Sequence, residues 1–400
     1  MSRRSTLDIV GFVDIGRMKT IGASRPAELR SRRVLRVLAS LCAALAVSGA
    51  LVSVPSASAT AAPAVQPVSR WQRAFDAGSG TYLAQNLRLS RSSDSWDHYN
   101  LAYAIDAYSS MYEATGRSTY ASQALQLVTS MVDRSRPSSS LPGRWHDSFR
   151  GWVSQRADVR GQQVPLFESY AWRYVTRLLR IIRQSPALWR NATYRAQYDR
   201  LLAFSERDIF EKWYSRGAAA NIYRSRTHMA AHWAYISLDL SVLTRNPARR
   251  SLYDKVFTNI NRHMPNGGSS LRRQMSTSRA VPTAYVWSDQ WNAGPGRPQD
   301  VDHANGVLSY VVEAREVGRE WTATDIARFT DTFTKLVWPK SGVSRQYVDG
   351  SGSGSGWFAD GFVKLGRYSA PLQRRLEAHT RGRSLQYIAA LALNARLLSR

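Results

Sequence analysis

Trp96-Asp97-His98-Tyr99-Asn100 and Val301-Asp302-His303-Ala304-Asn305 are nearly one phrase written twice, far apart in the chain. Each opens an apolar-periodic segment that runs to a Gly-Arg pair, Gly116-Arg117 in the first and Gly318-Arg319 in the second. Asp, His and Asn are costly side chains to place where a helix enters a core, because each must keep hydrogen-bond partners once water is removed. Their recurrence at the same end of two similar helices predicts one shared polar site where helix ends meet. The competing reading is local: Asp97 and Asp302 close their helix starts, with Asn100 and Asn305 three residues on along the same face.

Outward from these stretches the apolar spacing is helical almost throughout. Leu101, Ile105, Tyr108 and Tyr112 mark one helix, and Leu166, Tyr170, Tyr174 and Leu178 another. Trp233, Ile236, Leu240 and Leu243 give a third, Val307, Tyr310, Val311 and Ala314 a fourth, and Tyr387, Leu391 and Leu397 a last. Short breaks carry helix-start chemistry: Ser118, Ser185-Pro186, Asn246-Pro247, and Thr322 or Thr324. After each break a more polar helix is predicted, over 119–133, 187–210, 248–263 and 324–338. Helix, tight turn, helix and long return is the αα-hairpin unit. Five to six such units predict an all-α fold, an (α/α) toroid, complete or with a hairpin missing.

The long returns collect the unusual residues. Residues 264–300 hold Tyr285, Trp287, Asp289 and Trp291, and Trp357 and Asp360 follow a Gly-Ser run at 350–356. Loops of this length in a compact domain generally serve a site. Tryptophans beside Asp and Asn suit sugar rings, which stack on a flat apolar face and hydrogen-bond at the edge. The alternative is that these tryptophans pin loops to the core.

The N-terminal end reads differently. Arg30, Arg32, Arg33 and Arg36 precede an apolar run over Val37–Val54, followed by the small residues Ala57-Ser58-Ala59. That layout predicts a secretory signal over 1–59, cleaved near Ala59–Ala61, with a twin-arginine-like element at Arg32-Arg33. A linker over 60–70 and a catalytic domain over 71–400 would follow, without a stable membrane anchor. The single cysteine, Cys42, falls inside the apolar run, so the secreted part would hold neither disulfide nor thiolate-bound metal.

The 400 residues carry a formal net charge of +26, and the first 59 account for six of it. A secreted polycation is drawn to polyanions, of which acidic polysaccharide is the expected partner. Nucleic acid is not expected, since the basic residues are scattered and no binding motif is present. A monomer is expected, with no cofactor.

His228 and His232 lie four apart and share a helical face, with Tyr235 one turn on. Such a pair can hold zinc, but residue 229 is Met, where a zinc-protease helix has its Glu; no metal is expected. Asn221 and Arg224 crowd the approach to this helix, and Glu168 starts an inner one. The bland reading keeps both histidines as hydrogen-bonded core residues and Glu168 as a helix-dipole partner.

From Asn221 through His228, His232 and the tyrosines, the chain resembles the toroidal polysaccharide lyases of the alginate, glucuronan and heparin-type groups. The resemblance spans roughly residues 96–400 in architecture. It implies β-elimination on a uronate-containing glycan: Asn221 and Arg224 neutralise the carboxylate, His232 or His228 takes the C5 proton, and Tyr285 or Tyr235 protonates the leaving oxygen. Masking the carboxylate makes its neighbouring proton acidic enough for a near-neutral base. His98, Asn100, Glu168, Trp287, Trp291, His303, Asn305, Trp357 and Asp360 complete the expected substrate surface. The alternative is an inverting glycosidase of the six-hairpin kind, drawing acid and base from Asp97, Glu168, Asp302 and Asp360. A non-catalytic glycan or cell-wall binder is the third reading.

Overall fold

The computed structural model describes residues 64–400, apart from 266, 292–296, 341 and 381–382. The expected signal over 1–59 lies outside the described residues. Among the described residues, eleven α-helices of more than two turns carry the fold. They are α1 (Val68–Ser90), α2 (Ser95–Thr115), α3 (Ser118–Asp133), α4 (Pro165–Gln184), α5 (Ala192–Phe204) and α6 (Thr227–Leu243). α7 (Pro247–Arg262), α8 (Val301–Glu316), α9 (Ala323–Asp331), α10 (Ala370–Ala378) and α11 (Leu385–Leu398) follow. A 3-10 helix, Phe362–Tyr368, stands between α9 and α10. Sheet among the described residues is confined to two short antiparallel pairs, Arg136–Pro137 with Arg150–Gly151 and Ser276–Thr277 with Tyr285–Val286.

The packing closes a ring. α2 packs on α4, α4 on α6, α6 on α8, α8 on the 3-10 helix, that helix on α11, and α11 back on α2. A second helix backs each inner element: α3 on α2, α5 on α4, α7 on α6, α9 on α8 and the 3-10 helix, and α10 on the 3-10 helix. The first helix completes the last pair, α1 lying against α11 and α2. The fold is therefore an all-α toroid of six helical pairs, and α1 begins inside the stretch read as linker.

Local chemistry explains the breaks. Ser185 accepts from Leu188 N, Asn246 from Arg249 N, and Thr322 forms a reciprocal capping box with Asp325. Ser118 is already inside its helix, whose cap position is Arg117. The repeated motif is shifted from its capping reading: Asp94 caps α2 and Asp300 caps α8. Asp97 and Asp302 sit in the first turn instead, where a negative charge favours the helix dipole.

Inner helices bury nearly their whole circumference, as α4 and α6 do, the state expected of helices with little solvent-facing surface. The ring's axis is filled with charge as well as apolar groups. Arg173, Arg177 and Arg180 rise along one face of α4 at spacings of four and three. Arg173 Nη2 meets Asp360 at 2.8 Å, Arg177 Nη1 meets Asp106 at 3.1 Å, and Arg180 Nε meets Asp239 at 3.2 Å. Glu313 pairs with both Arg177 and Arg180, and Lys364 Nζ reaches Asp106 at 3.0 Å. Burial in low dielectric would penalise these charges alone; pairing within hydrogen-bond distance makes the column tolerable.

Candidate active site

Connections at one end of the ring are tight, as at Gly116-Arg117 and Ser185, whereas the long returns gather at the end where the inner helices begin. There, side chains from successive inner elements touch. Tyr99 of α2 stacks on Tyr170 of α4 with ring centroids 3.8 Å apart, and Tyr170 donates its hydroxyl to Tyr103 at 2.9 Å. The Tyr170 ring meets His232 of α6 edge-on at 5.1 Å, and His228 lies 4.3 Å from His303 of α8. Tyr103 meets Trp357 at 5.6 Å, and the Trp357 backbone N–H donates to Asp302. One continuous run of packed side chains therefore joins α2, α4, α6, α8 and the return before the 3-10 helix.

His232 is fully buried, and neither ring nitrogen has a hydrogen-bond partner among the described residues. Its Nε2 fits only because residue 306 is glycine: a Cβ there would lie 2.7 Å from that nitrogen. Burial first, then the Arg173 charge, holds its pKa well below the ordinary histidine value. His228 is lowered in the same way, by burial and then by His303, His232 and the nearby Arg226 and Arg224. His303 behaves oppositely. Burial pulls its pKa down, but its Nδ1 lies 2.8 Å from Asp300 Oδ1, and that carboxylate raises it overall. The three histidines thus divide into two neutral imidazoles and one outer ring that takes a proton more readily.

Asp302 is exposed, and Asp97 is half-buried. Trp357 is 37 % exposed and offers apolar surface at the same rim. Arg224 is half-buried beside His228, with one N–H donated to Ala220 O at 3.3 Å. Asn305 is structural here: its amide donates to Trp357 O at 2.7 Å, and its carbonyl accepts from Gly361 N at 2.8 Å.

Other expected site residues lie elsewhere or are already committed. Tyr285 sits on the outer layer, donating to Asp325 at 2.9 Å and packing on Phe329. Tyr235 is buried in the axis and donates to Glu313 at 3.0 Å. Asn221 ends a single helical turn, its amide spent on Arg216 O at 3.2 Å. Glu168 is enclosed by Lys212 Nζ at 2.8 Å and Trp213 Nε1 at 2.6 Å, a closed cluster without access to a ligand. Asp360 is completely buried under the rim, held by Arg173, Tyr174 and Gln386. Trp287 packs on Phe329 and Trp291 donates to Arg224 O, so both pin the 264–300 return, as the loop-anchoring reading has it.

The twin motifs diverge too. His98 is buried against Trp152 at 4.9 Å with Nε2 3.2 Å from Ser92 O, and Asn100 donates back to Trp96 O at 3.1 Å. The first motif thus contributes its tyrosine and Asp97 to the rim, and the second contributes Asp302 and His303. Sequence reasoning missed Tyr99, Tyr103, Tyr170 and Arg173. The available signal was aromatic residues at helical spacing at the start of α2 and α4, with arginines on the same face of an otherwise apolar helix. Among the described residues no group of three His, Cys, Asp or Glu side chains is arranged to hold a metal ion.

No family model and no curated protein matches the chain. Among solved structures, an inactive variant of the alpha-1,6-mannanase GH76A of Salegentibacter sp. HEL1_6, in complex with alpha-1,6-mannotetrose, is similar at a TM-score of 0.40. The identity is 10 %, over 80 % of this chain and 99 % of that one. The toroid of this chain is established by its own helix contacts.

Proposed function

We propose that the protein is a glycan-cleaving enzyme, a glycoside hydrolase that works at the rim where the inner helices begin. One observation carries this reading: the exposed Asp302 is joined through Trp357 to the packed tyrosines Tyr103, Tyr170 and Tyr99, and Asp97 lies in the first turn of the helix that supplies two of those tyrosines. Tyrosine and tryptophan provide the apolar faces on which pyranose rings stack, and the carboxylates provide the acid–base chemistry. In this mechanism Asp97 protonates the leaving oxygen. Asp302, oriented by the Trp357 N–H, removes a proton from the attacking water. The two carboxylates come from different inner helices, and an inverting displacement requires that their separation leave room for that water.

A second reading keeps elimination on a uronate polymer, supported by the neutral, unpartnered His232 beside the Tyr170 ring. It has lost Asn221, Tyr235 and Tyr285 as reacting groups, so Tyr170 would have to serve as the acid. Secretion by the N-terminal 59 residues would bring either enzyme to extracellular polysaccharide, and the surplus of positive charge would favour an acidic one.

The test is a panel of neutral and uronate polysaccharides assayed for new reducing ends and, in parallel, for ultraviolet absorbance from a C4–C5 double bond. Reducing ends without absorbance, lost by a hundredfold or more in Asp302→Asn, are the expected result. Absorbance that survives Asp302→Asn and disappears in His232→Ala would establish the eliminase instead. Binding with neither product would leave only a glycan-binding protein.

A further inference from the structure

The ring's other end holds a cavity of about 1070 Å³, at the top of the size range of small-molecule sites. It is walled by the C-terminal ends of α2, α4, α8 and α11, the end of the 3-10 helix and the first turn of α1. The mechanism above uses none of it. We propose that this cavity binds a small anionic molecule, held through an oxyanion group such as phosphate or carboxylate.

Charge decides the ligand class. Four arginines line the cavity, Arg180, Arg367, Arg396 and Arg400, against two carboxylates, Glu113 and Glu316. Both carboxylates already have a cationic partner: Glu113 accepts from Arg177 and Glu316 from Arg367. Arg180 is matched as well, by Asp239 at 3.2 Å and by Glu313. Arg396 and Arg400 are exposed, and neither guanidinium makes an ion pair with a described residue. The unpaired charge of the lining is therefore positive.

A buried donor points the same way. Arg367 is 5 % exposed. Its Nε donates to Asn394 at 3.2 Å and its Nη1 to Glu316, while Nη2 has no partner among the described residues. A guanidinium N–H taken out of water without an acceptor is costly, and an oxyanion supplies that acceptor. Burial alone would disfavour the Arg367 charge, but Glu316 more than offsets it. Asn394 also fixes where the fork lies, against α11, the helix whose last turn carries Arg396.

The helix ends oppose an anion only weakly. C-terminal carbonyls carry partial negative charge, an effect that fades within the last turn. Three of these ends are tied off: Tyr112 O accepts from Gly116 N at 2.7 Å, Ile181 O from Ser185 N at 3.0 Å, and Ala395 O from Ser399 N at 3.2 Å. A cationic ligand would find both carboxylates taken by arginine, and an uncharged one would leave Arg396 and Arg400 without a counter-charge.

The experiment is calorimetric titration of the full chain with inorganic phosphate, glucose 6-phosphate and glucuronate, with glucose as the uncharged control. At least one of the three anions is expected to bind, more weakly as salt is raised, and glucose is not. Arg396→Glu, on an exposed side chain, and Arg367→Lys, which keeps the charge beside Glu316 but loses the fork, are each expected to weaken binding by about tenfold or more. Tighter binding of glucose 6-phosphate or glucuronate than of inorganic phosphate identifies an organic ligand, and equal binding identifies the free ion; both support the site. Asp302→Asn, at the opposite rim, should leave anion binding intact, so the outcome does not depend on the hydrolase reading. Anion binding unchanged in both arginine variants, glucose bound as tightly as the anions, or no binding of any anion would each overturn the proposal.

Discussion

Asp360 was a candidate catalytic acid by sequence and is a buried structural anion in the folded chain, and one substitution separates the two roles. Its carboxylate and the Arg173 guanidinium are both fully buried, 2.8 Å apart. Tyr174 and Gln386 also donate to it, the latter at 3.0 Å, and Lys364 Nζ lies 3.9 Å away. In Asp360→Ala the Arg173 charge stays buried with Nε on Tyr170 O at 3.1 Å, and Nη1 already lacks a partner. Removing one member of a buried pair costs about 3–5 kcal/mol, because the remaining charge is neither hydrated nor compensated. For a domain of this size each kcal/mol lowers Tm by about 2 °C, so a drop of about 6–10 °C is expected. Urea unfolding followed by tryptophan fluorescence gives the free energy directly. The double variant Arg173→Met with Asp360→Leu should regain most of the loss, since it removes the buried charge as well as its partner. A stability change under about 1 kcal/mol together with complete loss of activity would refute the reasoning, because a side chain open to substrate behaves that way.

Three further outcomes are expected. Gly306→Ala should displace the His232 ring, given the 2.7 Å approach, and destabilise the fold by about 1–3 kcal/mol; a crystal structure with His232 unmoved would contradict this. His98 is lowered to about 4 by burial, so between pH 6.5 and 4 the unfolded chain binds the proton that the folded chain refuses. Stability should therefore fall as pH drops through that window, by up to about 3 kcal/mol from this residue, and His98→Phe should remove that share while leaving the fall due to His228 and His232. Tyr285→Phe should cost about 1 kcal/mol through the lost bond to Asp325 and leave catalysis unchanged, which steady-state kinetics will read.

Much of the helical frame was legible. The breaks at Ser185-Pro186, Asn246-Pro247 and Thr322 are real helix starts; α3, α7 and α9 begin within a residue of their expected positions, while the helix expected over 187–210 is split into a single turn, Pro186–Trp189, and α5. These features depend on contacts within a turn or two of chain, so sequence spacing specifies them. What spacing left open was α1 as the partner of α11, since that pairing joins the two ends of the described chain.

The twin Asp-His-x-Asn stretches mark the limit. By itself the sequence determined that both stretches begin inner helices, because apolar periodicity and capping chemistry are local. Only the tertiary structure decided what each side chain does. α2 begins one residue earlier relative to its motif than α8 does, and one residue is about 100° of helical rotation. His303 therefore falls within reach of its own cap, Asp300, and faces His228, while His98 lies against Trp152. Likewise, the arginines of α4 read as scattered charge until the closing ring sets Asp106, Asp239, Glu313 and Asp360 opposite them. A buried charge has its meaning from a partner distant in the chain, and distance in the chain is what local spacing does not encode.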